Sequence, residues 1–220
     1  MVSSRSRTPD PPFPPISVEG IEIQIECSLT ILGVTIDQKL TYESLIRNIT
    51  TRLSQQLGVL RKCWRSFGDT SLIHKCFWSF MLPLLEYCSP VWASAAASHL
   101  RLLDTIVQSV MFMSAGQVKC DLQHRRNVAS LCVFFKIVNK EHHPLSHFLP
   151  PPYAPARRTR HAEAAHRFAR QIPRCTTQHH ARSFFVRVPE LWNSLEDNVF
   201  GGQSLNSFKS RTNKFLLRLN

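Results

Sequence analysis

TYESLIRNITTRLSQQLGVLRKCWRSFG, residues 41–68, is the stretch whose reading decides the fold. Leu45, Ile49, Leu53, Leu57, Leu60 and Trp64 recur every three or four positions. That period lays one apolar stripe along a helix, whereas a strand would alternate every second residue. Thr41 is suited to cap its start. Gly68, just after Phe67, supplies the left-handed residue that ends helices. The stretch therefore reads as one long amphipathic helix with a face to bury, and its neighbours must supply the partner surface.

Reading toward the carboxyl end, the helical period continues. Asp69 or Thr70 opens a second helix with Leu72, Ile73, Cys76, Phe77 and Phe80 on its apolar side. Pro83 is placed to kink or restart it before Leu84 to Trp92. A third helix runs from about His99 to Ser114, apolar at Leu103, Ile106, Val107, Val110 and Met111. Asp121 caps a fourth, with Val128, Leu131, Cys132, Phe135 and Val138 toward the core. His142 to Pro155 is rich in proline and reads as a semi-rigid linker. Beyond it come a basic stretch, a short apolar segment around Phe184 to Leu195, and a last helix from Ser204 carrying Leu205, Phe208, Phe215 and Leu216.

Toward the amino end, the prolines at 9, 11, 12, 14 and 15 exclude a helix or a central strand. Val18 to Ile25 alternates, with Ile21, Ile23 and Ile25 on one face, and Leu29 to Ile36 is rich in branched residues. A hairpin or a pair of edge strands is the natural reading. The fold class that follows is mainly α: a small amino-terminal β-hairpin, a helical bundle, and an irregular basic tail with a terminal helix. Composition and period divide the chain at 1–40, 41–141, 142–182 and 183–220.

Lys and Arg number 27 against 15 acids, a net charge of +12, which favours contact with phosphate backbones. The longest uncharged runs, Tyr87 to Leu100 and Thr105 to Val118, fall short of the ~20 apolar residues of a membrane span. The polar opening from Met1 to Thr8 lacks the apolar core of a secretory signal. Seven cysteines without regular spacing point to reduced thiols and an intracellular protein, cytoplasmic or nuclear.

Catalytic chemistry finds little support. Two-metal phosphoryl transfer needs clustered carboxylates, yet the aspartates stand at 10, 37, 69, 104, 121 and 197. Glu196-Asp197 is the one adjacent acidic pair, and nothing nearby completes a site. Zinc is weighed on Cys120 with His124 and on Cys175 with His179 and His180, and set aside for want of a Cys-x-x-Cys pair. The reading is no metal and no catalytic residue, with Cys120 opening a helix and the histidines exposed. No Gly-x-Ser-x-Gly elbow and no phosphate-cradling glycine loop is present. The strongest physical signal is the stretch with Arg157, Arg158, Arg160, Arg167, Arg170, Arg174 and Arg182, where Glu163 is the sole acid between Glu141 and Glu190. Arginine forks suit phosphate, and Phe168, Phe184 and Phe185 are candidate stacking platforms for unpaired bases.

Several strings also carry a resemblance. Leu29-Thr30-Ile31-Leu32-Gly33-Val34-Thr35-Ile36-Asp37, followed by Lys39-Leu40-Thr41, is similar to the Leu-Gly-Val-x-x-Asp segment that closes the palm of non-LTR retrotransposon reverse transcriptases. Leu82-Pro83-Leu84-Leu85-Glu86-Tyr87-Cys88-Ser89-Pro90-Val91-Trp92 resembles the Pro-x-Leu-x-Tyr-x-x-x-x-Trp signature of their thumb region. Leu102-Leu103-Asp104, Cys120-Asp121-Leu122 with His124-Arg125-Arg126, and Leu191-Trp192-Asn193-Ser194-Leu195 with Phe208-Lys209-Ser210 fit the same tail, in the manner of jockey-like elements.

This resemblance implies a primer grip at Leu32 and Gly33, with glycine allowing close backbone approach. It implies a thumb that holds the template–primer duplex, of RNA or DNA, through Arg47, Arg52, Arg61 and Lys62 of the first long helix, with Arg125 and Arg126 further on. It also implies what is missing. The catalytic aspartates, the fingers and most of the palm have no counterpart, and Gln108-Ser109-Val110-Met111 stands where many relatives carry arginines. Mg2+ would belong to that missing palm, and no cofactor is expected in this chain. The expectation is a carboxyl-terminal fragment of an RNA-directed DNA polymerase that binds template–primer without catalysis, with a full-length reverse transcriptase as a possible partner. A stand-alone basic nucleic-acid-binding protein derived from a mobile element, or a non-functional remnant, is the alternative.

Overall fold

The structure, a computed structural model, describes residues 16–23, 26–154, 166–202 and 204–219. The protein is mainly helical, with a little antiparallel β-structure near its amino end. The two branched runs do not form one hairpin together. Each folds back on itself: β1 (Ile16–Val18) pairs with β2 (Ile21–Ile23), and β3 (Ser28–Ile31) pairs with β4 (Val34–Asp37). The reason lies in the turns. Glu19-Gly20 and Leu32-Gly33 have positive φ at both positions (52° and 81°, 48° and 80°). This is the two-residue geometry whose twist matches antiparallel strands. Ile25 lies outside the described residues.

Helix α1 spans Glu43–Phe67 and buries Leu45, Ile46, Leu53, Leu57 and Leu60. Gly68 ends it at φ 64°, donating its N–H to Trp64 O at 2.8 Å. The start differs from the sequence reading. Tyr42, not Thr41, occupies the cap position, in a left-handed conformation. The cause is Asp37 at the end of β4, whose carboxylate accepts N–H bonds from Lys39 (3.1 Å), Thr41 (2.9 Å) and Tyr42 (2.6 Å). Thr41 is left with one long bond from the Glu43 N–H, at 3.4 Å.

Asp69 caps α2 (Thr70–Cys76) by accepting from the Ser71 and Leu72 N–H groups. A widened π-turn, Phe77–Met81, then leads into α3 (Leu82–Glu86). A widened turn ahead of Pro83 relieves the clash between a proline ring and the preceding turn. It also rotates the buried face. Phe77 and Met81 are fully enclosed, while Phe80, expected inside, turns out to solvent. After α4 (Ser89–Trp92) comes α5 (Ala97–Met113), ended by the left-handed pair Ala115-Gly116.

The described residues divide into two compact units. The first holds residues up to Leu85 together with Ala95–Lys119, and the second holds Glu86–Ser94 together with the residues from Cys120 onward. This division departs from the boundaries drawn at 40, 141 and 182. Helix α6 (Leu122–Asn139), capped by Asp121, packs with the tail because its apolar face meets α8 (Phe184–Asn193) and α9 (Leu205–Leu219). A short helix, α7 (Gln178–Arg182), precedes α8. The second core gathers Val128, Leu131, Phe134, Phe135, Val188, Trp192, Leu195, Val199, Phe208 and Leu216. Its rings interlock: Phe135 stacks on Phe208 at 4.3 Å, and Phe134 meets Trp192 edge-on at 5.0 Å. In the first unit α1 and α5 run side by side in the same direction. His99 lies 3.9 Å from Glu43 near both starts, and the Trp64 ring meets Phe112 at 6.4 Å near both ends.

Candidate nucleic-acid interface

The β3–β4 turn places Leu32 and Gly33 at a hairpin tip, with Leu32 84% exposed. A leucine at φ 48° is strained, since only glycine and small polar residues enter that region easily. Behind the tip, burial pushes the Asp37 carboxyl upward. The backbone hydrogen bonds from Thr41 and Tyr42 outweigh this and hold it below the usual carboxylate range. Asp37, Asp69 and Asp121 thus share one job, accepting backbone N–H groups where helices begin.

All four expected cations of α1 are exposed, but they do not form one strip. Arg47 is tied to Glu43 one turn back, at 2.8 Å. Arg52 and Arg61, nine residues apart, lie about 180° around the helix from each other. Lys62 points opposite the buried stripe. Sequence reading passed over Arg65, one turn beyond Arg61; the i, i+4 spacing was the available signal. Among the described residues Arg52, Arg61, Lys62 and Arg65 form no salt bridge. Arg61 and Arg65 also line a cleft of about 440 Å³ with Trp64, Thr105, Gln108, Ser109, Phe112 and Met113.

The second unit uses its arginines differently. Arg125 is paired with Glu86 through its Nε, joining the Leu82–Trp92 string to the His124-Arg125-Arg126 string. Arg126 is buried, donates to Gln123 Oε1 at 3.2 Å, and does not face solvent phosphate. Arg187 donates to Ser130 Oγ at 3.1 Å; burial first, and then the Arg126 charge, push its guanidinium below its ordinary value. Arg167 is exposed and lies over the Phe168 ring at 4.5 Å. Arg170 is part of the scaffold: its side chain donates to Pro150 O, and Asn193 grips its backbone at both N–H (2.8 Å) and C=O (2.7 Å). Arg174 is exposed. Arg157, Arg158 and Arg160 lie outside the described residues.

The phenylalanines proposed as stacking platforms are in use elsewhere. Phe168 packs on Phe200 at 4.9 Å, Phe184 on Phe134, and Phe185 on Phe148 at 5.7 Å, around the second core. The Trp192-Asn193 string has a scaffold role too. The Trp192 indole donates to Phe168 O at 2.8 Å, and its backbone carbonyl bonds buried His166 at 3.0 Å. The Trp92 indole likewise donates to Tyr87 O at 2.9 Å.

A second concavity, about 390 Å³, lies between α6 and α9, lined by Lys136 and Lys209 beside the Arg125–Glu86 pair. His124, expected exposed, is buried and bonded to Asn213 Oδ1 at 2.7 Å. Burial pushes the Cys120 thiol up to about 11, leaving it far from a reactive thiolate at neutral pH. No group of three His, Cys, Asp or Glu side chains gathers to hold a metal among the described residues. Nor, among them, is any helix long and apolar enough to cross a membrane. Family models, curated proteins and solved structures yield no match to this chain.

Proposed function

We propose that the chain is a nucleic-acid-binding module of the reverse-transcriptase carboxyl-terminal type, gripping template–primer by its backbone and carrying no polymerase chemistry of its own. The observation that carries this reading is the group Arg61, Lys62 and Arg65 near the carboxyl end of α1, exposed and without salt bridges among the described residues, with Arg52 likewise exposed on the side of the helix opposite Arg61. Exposed guanidinium and ammonium groups free of carboxylates are available to displace counterions from phosphates. The net charge of +12 adds long-range attraction. The resemblance of the Leu29–Asp37 and Leu82–Trp92 strings supplies the family direction.

The test is fluorescence anisotropy of the full chain with a primed RNA–DNA duplex across a salt series. Replacing all four residues by Gln is expected to flatten the log affinity against log salt slope by about 0.7–0.9 for each phosphate contact removed. A slope untouched by the four substitutions overturns the assignment to α1. Metal-dependent primer extension by the purified chain overturns the claim that it is not catalytic.

A further inference from the structure

We propose that the cleft between the carboxyl-terminal halves of α1 and α5 holds one unpaired nucleotide, its base against Phe112 and Trp64 and its phosphate on Arg61 and Arg65. This rests on the nucleic-acid reading above but narrows it, because a duplex backbone makes no use of an aromatic wall.

Phe112 lies in the last turn of α5. Its ring is 78% exposed although it sits on a helix whose neighbouring apolar residues Val110 and Met113 are buried. Half-buried Trp64 meets the ring in an edge-type contact at 68° between planes, and both rings line the cleft. An aromatic ring held by a neighbour yet left open on one side is a stacking surface. In a paired duplex the faces of the bases are already covered by their neighbours, so this surface suits a base outside the helix.

Charge fits the same occupant. Arg61 and Arg65 are one helical turn apart on the α1 wall. The lining has no carboxylate, and neither guanidinium forms a salt bridge among the described residues. Two adjacent forks without a counter-charge favour phosphate.

The α5 wall supplies the polar edge. The Thr105 and Ser109 hydroxyls, on residues that line the cleft, donate their protons to Arg101 O (3.0 Å) and Thr105 O (3.1 Å), which leaves their oxygens as acceptors. Gln108, exposed between them, offers an amide donor and acceptor for a base edge. At about 440 Å³ the cleft falls within the size range of small-ligand sites.

The test uses the full chain, oligo-rU and oligo-dT single strands, a blunt duplex, and free uridine monophosphate as probes. Phe112→Ala is expected to weaken single-strand binding about tenfold, within the range of base–aromatic stacking, and to leave duplex binding and the thermal transition unchanged. Strand binding is expected to quench tryptophan emission, and Trp64→Phe to abolish that quench. Measurable uridine monophosphate binding would show that a single nucleotide suffices; binding of strands alone would show that the phosphates on both sides are required, and either supports the site. If neither Phe112→Ala nor the Arg61→Gln, Arg65→Gln double variant lowers single-strand affinity while Arg52→Gln does, the cleft assignment is overturned and the nucleic-acid reading stands. If the unmodified chain binds no strand and no duplex at low salt, the reading itself falls.

Discussion

In the first unit, Arg52, Arg61, Lys62 and Arg65 project from α1 without salt bridges among the described residues, and Phe112 is open beside Arg61 and Arg65. In the second, Arg125 is paired with Glu86, Arg126 is buried, and Arg170 is fastened to Pro150 and Asn193. The same residue type is surface charge on α1, whereas several arginines of the second unit are framework, with Arg167 and Arg174 there still exposed. The contrast follows from what each core lacks. The first is closed by aliphatic stripes and helix caps. The second carries irregular segments around 150–153 and 166–171, where the Arg170 and Asn193 side chains satisfy backbone groups that no helix pairs. An arginine within a basic stretch can therefore be framework, as Arg170 is, while Arg167 and Arg174 of the same stretch stay exposed.

The sharpest way to break this comparison is through the second unit's framework. Trp192→Ala removes a ring that is 1% exposed, with its bond to Phe168 O, and should lower the free energy of unfolding by about 3–5 kcal/mol in urea titration. A loss near zero would mean that the network is ornament on a core that stands without it.

A smaller effect is expected where the first unit turns from strand to helix. Asp37→Ala removes the acceptor for three N–H groups and should cost about 1–2 kcal/mol at neutral pH. Because the folded carboxyl lies below its ordinary range, its contribution is complete above the unfolded value, about 4, and fades as pH falls through the folded one. The stability gap between the two proteins should therefore narrow in acid; a gap that widens there would assign Asp37 the wrong role.

The smallest effect sharpens the contrast itself. Arg125→Gln should lower stability by only about 0.5–1 kcal/mol, since the pair is about a third exposed. Nucleic-acid affinity should stay within about twofold, the change expected of a residue that touches no phosphate. A larger drop in affinity would move the interface into the second unit.

How much of this was legible depended on whether the cause was local. Gly68, Asp69 and Asp121 act within four residues of themselves, and each ends or opens its helix as read from sequence. The apolar stripe of α1 was equally plain. The two hairpin turns were also local, and the signal, glycine second in Glu19-Gly20 and Leu32-Gly33, was present but passed over. Other features had no local cause. Phe80 faces outward because of a widened turn ahead of Pro83. Arg125 and Arg170 are tied to partners 39 and 23 positions away. Phe168, Phe184 and Phe185 look like free aromatic surface until Phe200, Phe134 and Phe148 are brought to them.

The short passage Glu86–Ser94 belongs to the second unit, yet the chain returns to the first at Ala95 before re-entering the second at Cys120. No single cut can therefore separate the two. A protein beginning at Cys120 would lack Trp92, buried at 0% exposure, and the Glu86 carboxylate that meets Arg125. The same threading imposes an order during synthesis. Trp92 leaves the ribosome well before α6, α8 and α9 exist, and at about 5–20 residues per second it waits on the order of ten seconds for its unit to be completed. During that interval a tryptophan destined for the interior lacks the helices that complete its own unit, a window in which chaperone capture competes with folding.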